Sequence, residues 1–150
     1  MANTSREFYL PYLSRFCQVN ASMNILEVGC GEGGNLVPFS QLGCKVTGVD
    51  VAECRIKDAK SYFSEISDNA TFICRDFMEC HVPNREEDKF DVILLHDVIE
   101  HVPTKEPFLA HLKNFYYCPL NFWVRYKFRV DTSHEVSALF VIFAFVSKLR

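Results

Sequence analysis

Four short apolar runs constrain this chain more than anything else in it. MNILEVG (23–29), CKVTGVDV (44–51), FICRDF (72–77) and FDVILLHD (90–97) are continuous and not alternating. Each strand they predict is therefore buried on both faces, as in a parallel sheet sandwiched by helices. Between the runs lie segments with helical spacing. LVPFSQLG ends at Gly43, where a glycine closes a helix. Residues 52–66 bring Ile56, Ala59, Tyr62, Phe63 and Ile66 to one face. Ahead of the first run, Phe8, Tyr12 and Phe16 stand four apart. They predict a helix over roughly 5–18 with an aromatic edge turned inward, starting late or bending at Pro11. The expected fold is α/β: a doubly wound, mostly parallel sheet with helices on both faces. At 150 residues and 49% hydrophobic, the chain has the size of one domain with a real core. It divides into an N-terminal helical segment (1–22), a core (23–113) and a C-terminal segment (114–150).

Composition removes several function classes. A formal charge of −3 and a pI near 5.9 argue against a nucleic-acid scaffold, because neutralising phosphates needs an excess of Lys and Arg. The seven cysteines are odd in number and include no C-x-x-C pair, so neither a disulfide framework nor a zinc site is expected. Cys30, Cys44 and Cys74 lie in apolar runs, where free thiols behave as small hydrophobes. A reducing, cytoplasmic setting follows as an expectation. The N-terminus carries Arg6 and Glu7 and reaches Pro11 before an apolar signal core builds up. The longest apolar run, VSALFVIFAFV at 136–146, is shorter than the roughly 18–20 residues that span a bilayer, so no membrane span is expected.

A parallel sheet binds its ligand at the carboxyl ends of its strands, and the informative residues stand there. ILEVGCGEGG follows the first strand, with Gly29, Gly31 and Gly33 able to turn sharply and let a ligand press against main chain. The second strand ends in Asp50, 21 residues past Gly29, a spacing that suits a carboxylate accepting from two ribose hydroxyls. The third ends in Asp76-Phe77, an acid and a ring suited to an adenine; Asp76 also reads as a turn cap. GCGEGG satisfies the dinucleotide fingerprint as well. A pyrophosphate wants positive potential at the helix start, which Glu32 in the loop would spoil, and Glu27 adds a second acid. S-adenosylmethionine (SAM), with a sulfonium and no phosphate, tolerates both. On this reading Asp50→Ala weakens the ligand and barely touches stability.

Taken in order, E-x-G-x-G-x-G from Glu27 to Gly33, Asp50, Asp76 and FDVILLHDVIEHV at 90–102 resemble a class I SAM-dependent methyltransferase. The last stretch is most similar to the ubiquinone-biosynthesis O-methyltransferases. The resemblance covers roughly residues 23–113. It implies that Glu27, Gly29, Cys30, Gly31 and Gly33 surround the methionine and ribose part of the cofactor, with Cys30 acting through its backbone only. It places Asp50 and Val51 on the ribose edge, Asp76 and Phe77 on the adenine, and His96 at the donor methyl. The implied activity is methyl transfer to a small-molecule acceptor, with His96 or His101 as base by pKa. Asp97, Glu100 and His101 are chemically adequate for a divalent cation. Asp97 with Glu100 also reads as a capping box, and that reading is preferred, with no metal assigned. An NAD-binding oxidoreductase fragment and a catalytically empty SAM-binding module are the alternatives.

The resemblance stops after Lys113. Relatives continue with a Pro/Gly-rich turn, a buried fifth strand and two closing strands. Here NFYYCPLNFWVRYKFRV follows. Residues 122–130 alternate, which predicts a strand with one wet face, and the remaining tail is expected to be too short for a final hairpin. The C-terminal part is therefore read as incomplete or divergent, with little turnover by this chain alone. Its uncovered sheet edge is expected to favour a homo-oligomer.

Overall fold

A computed structural model describes residues 5–15 and 17–115, together with the backbone of 123–128 and 139–144. Four parallel strands form the central sheet: β1 (Asn24–Val28), β2 (Lys45–Asp50), β3 (Ala70–Cys74) and β4 (Val92–Leu95). They lie in the order β3-β2-β1-β4. Ile25 is in register with Val46 on one side and Val92 on the other. The chain fills the β2–β3 side first and then crosses β1 to place β4, so the topological switch lies between β1 and β4.

Over β1, β2 and β4 both sheet faces are buried, as the continuous apolar runs required; edge strand β3 departs from that expectation and buries only Phe72. Ile25, Val46, Val92 and Leu94 point to one core, while Leu26, Val28, Val49, Ile93 and Leu95 point to the other. The first face is covered by α1 (Leu10–Leu13), α2 (Val37–Gln41) and α3 (Glu53–Ile66). The second is covered by α4 (Lys105–Leu112) and by short turns carrying Phe77, Ile99 and Phe115. Helix α2 closes as its glycine predicts. Gly43 has φ +84°, its N–H donates to Ser40 O at 2.9 Å, and that of Cys44 donates to Phe39 O at 3.1 Å, the paired bonds of a Schellman end.

Several packing expectations need correction. The N-terminal segment opens with a wide π turn, Ser5–Tyr9, before α1. Its inward face is Tyr9, Tyr12 and Leu13, while Phe8 is exposed; Phe16 lies outside the described residues. On α3, Ile56, Ala59 and Phe63 are buried, but Tyr62 and Ile66 are exposed. Helix α3 packs on β2 and β3, and β3 is the sheet edge, so among the described residues no further strand covers those two side chains. Cys30 and Cys44 are buried, whereas Cys74 is exposed on that same edge strand.

In the C-terminal segment the expected strand is present as β5 (Trp123–Phe128), and it pairs antiparallel with β6 (Leu139–Ala144), Trp123 opposite Ala144 and Phe128 opposite Leu139. After residue 130 the described residues hold this one strand, β6, and no hairpin of their own. β6 runs alongside β4, while ladder bonds join β5 only to β6. Phe122, Arg129 and Val130 of the proposed alternation lie outside the described residues.

Candidate active site

The carboxyl ends of β1, β2 and β4 and the exit from β3 surround a cavity of about 660 Å³, within the range of small-molecule sites. Glu27, Gly29, Cys30, Gly31, Asp50, Val51, Asp76, Phe77 and His96 all line it. Nine of the ten residues singled out from sequence are thus brought together. Gly33 is not on the wall. A Cβ there would meet Phe72 at 2.8 Å and Phe63 at 3.0 Å, so Gly33 lets helix and sheet approach and is corrected from a ligand to a packing role. Glu32, the acid invoked against phosphate, is exposed and also off the wall.

The glycine loop is built by a few hydrogen bonds. The N–H groups of Gly29 and Cys30 both donate to Val49 O, at 2.8 and 3.1 Å, which ties the loop to the end of β2. Gly29 has φ +71°, and an added Cβ would stand 2.3 Å from Val98 Cγ2. The cavity floor therefore closes only over bare backbone. The Cys30 side chain is buried, and burial beside Glu27 pushes its thiol pKa up, which leaves an unreactive thiol.

Asp50 braces this loop. Its Oδ2 accepts from Gly31 N and its Oδ1 from Ala52 N, both at 2.8 Å. Removing the carboxylate would leave both amides short of a partner, so the expectation that Asp50→Ala barely affects stability is corrected. Each oxygen still has a lone pair for a second donor. Asp76 lies beyond β3, not at its end: it caps the turn Phe77–Glu79 by accepting from Met78 N at 2.9 Å. Phe77 reaches the cavity from the second core, its ring 4.7 Å from that of Phe115.

Glu27 is 1% exposed. Its Oε1 accepts from Asn35 Nδ2 at 2.7 Å, but Oε2 is buried without a partner, as is Asn35 Oδ1. Burial is the main cause that pushes its carboxyl up to about 8; the Asn35 bond opposes this and the nearby Asp50 adds to it.

Past β4 the preferred cap is absent. Asp97 adopts φ +51°, and the turn Ile99–His101 begins after Val98 with no side-chain cap. Asp97 Oδ1 is instead buried and unpartnered. Among the described residues no group of three His, Cys, Asp or Glu side chains is placed to hold a metal ion, Asp97, Glu100 and His101 included. No described helix is long and apolar enough to cross a membrane.

A profile described as a methyltransferase domain matches residues 25–116. The chain belongs to the methyltransferase domain family. The ubiquinone biosynthesis O-methyltransferase of Maricaulis maris is 37% identical over 88 residues, covering 59% of this chain and 34% of that protein. Its counterpart from Rickettsia akari is 31% identical over 93 residues, covering 61% and 35%. The chain therefore spans about a third of the length of the curated relatives it matches. Among solved structures, the magnesium protoporphyrin IX methyltransferase of Synechocystis PCC 6803 with bound SAM superposes with a TM-score of 0.72 at 19% identity, covering 95% of this chain and 78% of that one. A SAM-dependent methyltransferase from Aquifex aeolicus gives 0.62 at 18%, covering 77% and 67%. These two likenesses concern the fold.

Sequence reasoning missed several walls of this methyltransferase-domain cavity. Asn35, Arg55 and Arg75 line it, and Arg55 Nη1 stands 3.6 Å from where a Cβ on Gly31 would be. Arg55 and Arg75 carried no sequence signal of their own. Asn35 did: it follows the glycine loop directly and is the only uncharged amide there. The hydroxyl of Tyr9, from the N-terminal segment, lies 2.9 Å from His96 Nδ1.

Proposed function

We propose that the cavity binds SAM and that the chain is a SAM-dependent methyltransferase acting on a small-molecule acceptor. The observation that carries this reading is Glu27 Oε2, a buried carboxyl oxygen without a partner beside a glycine floor that a Cβ would fill. An orphaned acid in a closed pocket is stabilised by a cationic ligand, and SAM brings a sulfonium and an ammonium. In this reading the main chain of Gly29, Cys30 and Gly31 and the carboxyl of Glu27 hold the methionine end. Asp50 accepts from the ribose hydroxyls with Val51 at the ribose edge. Asp76 and Phe77 hold the adenine, and His96 stands near the methyl. The cofactor supplies a methyl group on a positively charged sulfur. The protein aligns an acceptor lone pair with the methyl carbon, excludes water, and keeps a polar group ready for the acceptor's proton.

The test is thermal unfolding with S-adenosylhomocysteine, the demethylated product. A saturable rise in Tm supports the reading, and no rise at millimolar ligand defeats it. A second reading keeps the binding and gives up the turnover: this chain alone binds cofactor with little transfer. The family match ending at residue 116 and the antiparallel β5–β6 pair favour it. Label from methyl-labelled SAM appearing in small phenol, amine or carboxylate acceptors at ordinary rates excludes it. A cytoplasmic setting and self-association through the C-terminal sheet edge belong to the same proposal; sedimentation tests the latter.

A further inference from the structure

Tyr9 and His96 are far apart in sequence, yet the Tyr9 hydroxyl lies 2.9 Å from His96 Nδ1. Tyr9 is 1% exposed and arrives on the π turn Ser5–Tyr9, outside the segment that carries the cavity residues. Burial is the main cause that pushes its pKa up, and the carboxyls of Glu27 and Asp97 add to it. The phenol therefore keeps its proton at any ordinary pH. Among the described residues Nδ1 is the one partner of this hydroxyl, so its buried proton is satisfied only if Nδ1 presents its lone pair. A neutral imidazole with a lone pair on Nδ1 carries its proton on Nε2. That nitrogen faces Asp97, with Oδ2 3.4 Å away.

Asp97 is the second half of the arrangement. It is the one non-glycine among the described residues with positive φ, a strained backbone that persists only where its surroundings enforce it. Its other oxygen, Oδ1, is buried and unpartnered, and Asp97 and His96 both line the cavity. A histidine free to rotate or to switch tautomer would not present a fixed group to that wall.

We propose that Tyr9 is a positioning residue: its hydroxyl fixes His96 in the tautomer protonated on Nε2 and aims that N–H toward Asp97 at the cavity wall. In this state Nε2 holds its proton toward Asp97 and offers no lone pair to whatever occupies the cavity, so His96 is not a proton acceptor there. The general-base role that its pKa class suggests therefore passes to another group. The docking of the N-terminal segment is built into the site through one hydroxyl. The placement of His96 near a reacting methyl rests on the cofactor reading above; its tautomer does not.

The test is long-range proton–nitrogen NMR on the full chain with ¹⁵N-labelled histidine. His96 is assigned by the signal lost in His96→Gln. In the wild type we expect Nδ1 at the shift of an unprotonated nitrogen and Nε2 at that of a protonated one. In Tyr9→Phe we expect the two shifts to move toward each other as the tautomers exchange, with the His101 and His111 signals unmoved. A wild-type spectrum with the proton on Nδ1, or with averaged shifts, overturns the proposal even if Tyr9→Phe fails to fold. A folded Tyr9→Phe whose His96 pattern matches the wild type overturns it too. S-adenosylhomocysteine titrated into the same samples keeps the two readings apart. A fixed tautomer without binding removes the cofactor reading and leaves Tyr9 in its role.

Discussion

The two ends of the central sheet treat their polar groups in opposite ways. At the amino ends the groups close on one another. Asp91, 4% exposed, accepts from Asn24 N at 2.8 Å, and Asn24 Nδ2 reaches Glu87 O and Lys89 O. Ser40, Ser67 and Asn69 bond among themselves beside the entry to β3. At the carboxyl ends, Glu27 Oε2, Asn35 Oδ1 and Asp97 Oδ1 are buried without partners, and Asp97 holds a strained backbone. Buried polar atoms are almost always satisfied in a folded protein. A sheet that satisfies them at one end and leaves three open at the other is arranged for a ligand at the open end.

The sharpest way to break this comparison is to substitute one glycine at each end. Gly29→Val combines a left-handed backbone with a Cβ 2.3 Å from Val98. We expect it to abolish S-adenosylhomocysteine binding and to cost on the order of 3 kcal/mol of stability. Gly43→Ala, also left-handed and 2.9 Å from Ala21 Cβ, should cost about 1–2 kcal/mol of stability and leave affinity in the folded fraction unchanged. Equal loss of affinity in both variants would dissolve the distinction between the two ends.

Aspartates provide the next comparison. Asp91→Ala strands the Asn24 amide and should cost about 1–3 kcal/mol of stability with normal ligand affinity. Asp50→Ala should weaken S-adenosylhomocysteine by about 1.5–3 kcal/mol and also lower stability by about 1 kcal/mol, because Gly31 and Ala52 lose their acceptor. Urea unfolding and calorimetry on both variants read the two quantities separately. An Asp50→Ala protein of wild-type stability would show that the bracing bonds carry no weight.

A further effect is expected from pH. Glu27 has its folded pKa raised from 4.5 to about 8, so the folded state holds the extra proton. Its contribution to stability is full below about 4.5 and is lost as pH rises through about 8. The ligand-free protein should therefore lose stability across that window, and Glu27→Gln should flatten the decline. An unchanged slope in Glu27→Gln would place the titration elsewhere. Smallest of all, EDTA should leave S-adenosylhomocysteine affinity unchanged; a magnesium-dependent gain abolished by Glu100→Gln would restore the metal reading.

The sequence revealed the strands where burial on both faces left a continuous apolar run. β1, β2 and β4 fall inside their predicted segments, while edge strand β3, with only Phe72 buried, sits two residues early. Helix faces were legible only where something covers them, which is why Tyr62 and Ile66 were misjudged. On the N-terminal segment Tyr12 faces inward as expected, but the π turn adds to the helical spacing, so Tyr9 and not Phe8 is buried beside it. Of the nine cavity residues, Gly29, Gly31, Asp50, Asp76 and Phe77 followed from the rule that ligands meet strand ends, Glu27 from its charge beside the glycine loop, and Cys30, Val51 and His96 from the family resemblance alone. Gly33 did not, because a glycine that admits Phe72 looks identical in sequence to one that admits a ligand. No local rule foresees a left-handed aspartate, and Asp97 was read as a cap for that reason.

The central claim is that the open end of the sheet is shaped for a cationic adenosyl cofactor and not for a dinucleotide. Arg55 and Arg75 on the wall make the comparison a fair one, since they would welcome phosphate. Isothermal titration of SAM, S-adenosylhomocysteine and NADH against one preparation of the full chain decides it. Saturable binding of SAM and S-adenosylhomocysteine is expected, each tighter than NADH. NADH binding more tightly than S-adenosylhomocysteine would contradict it.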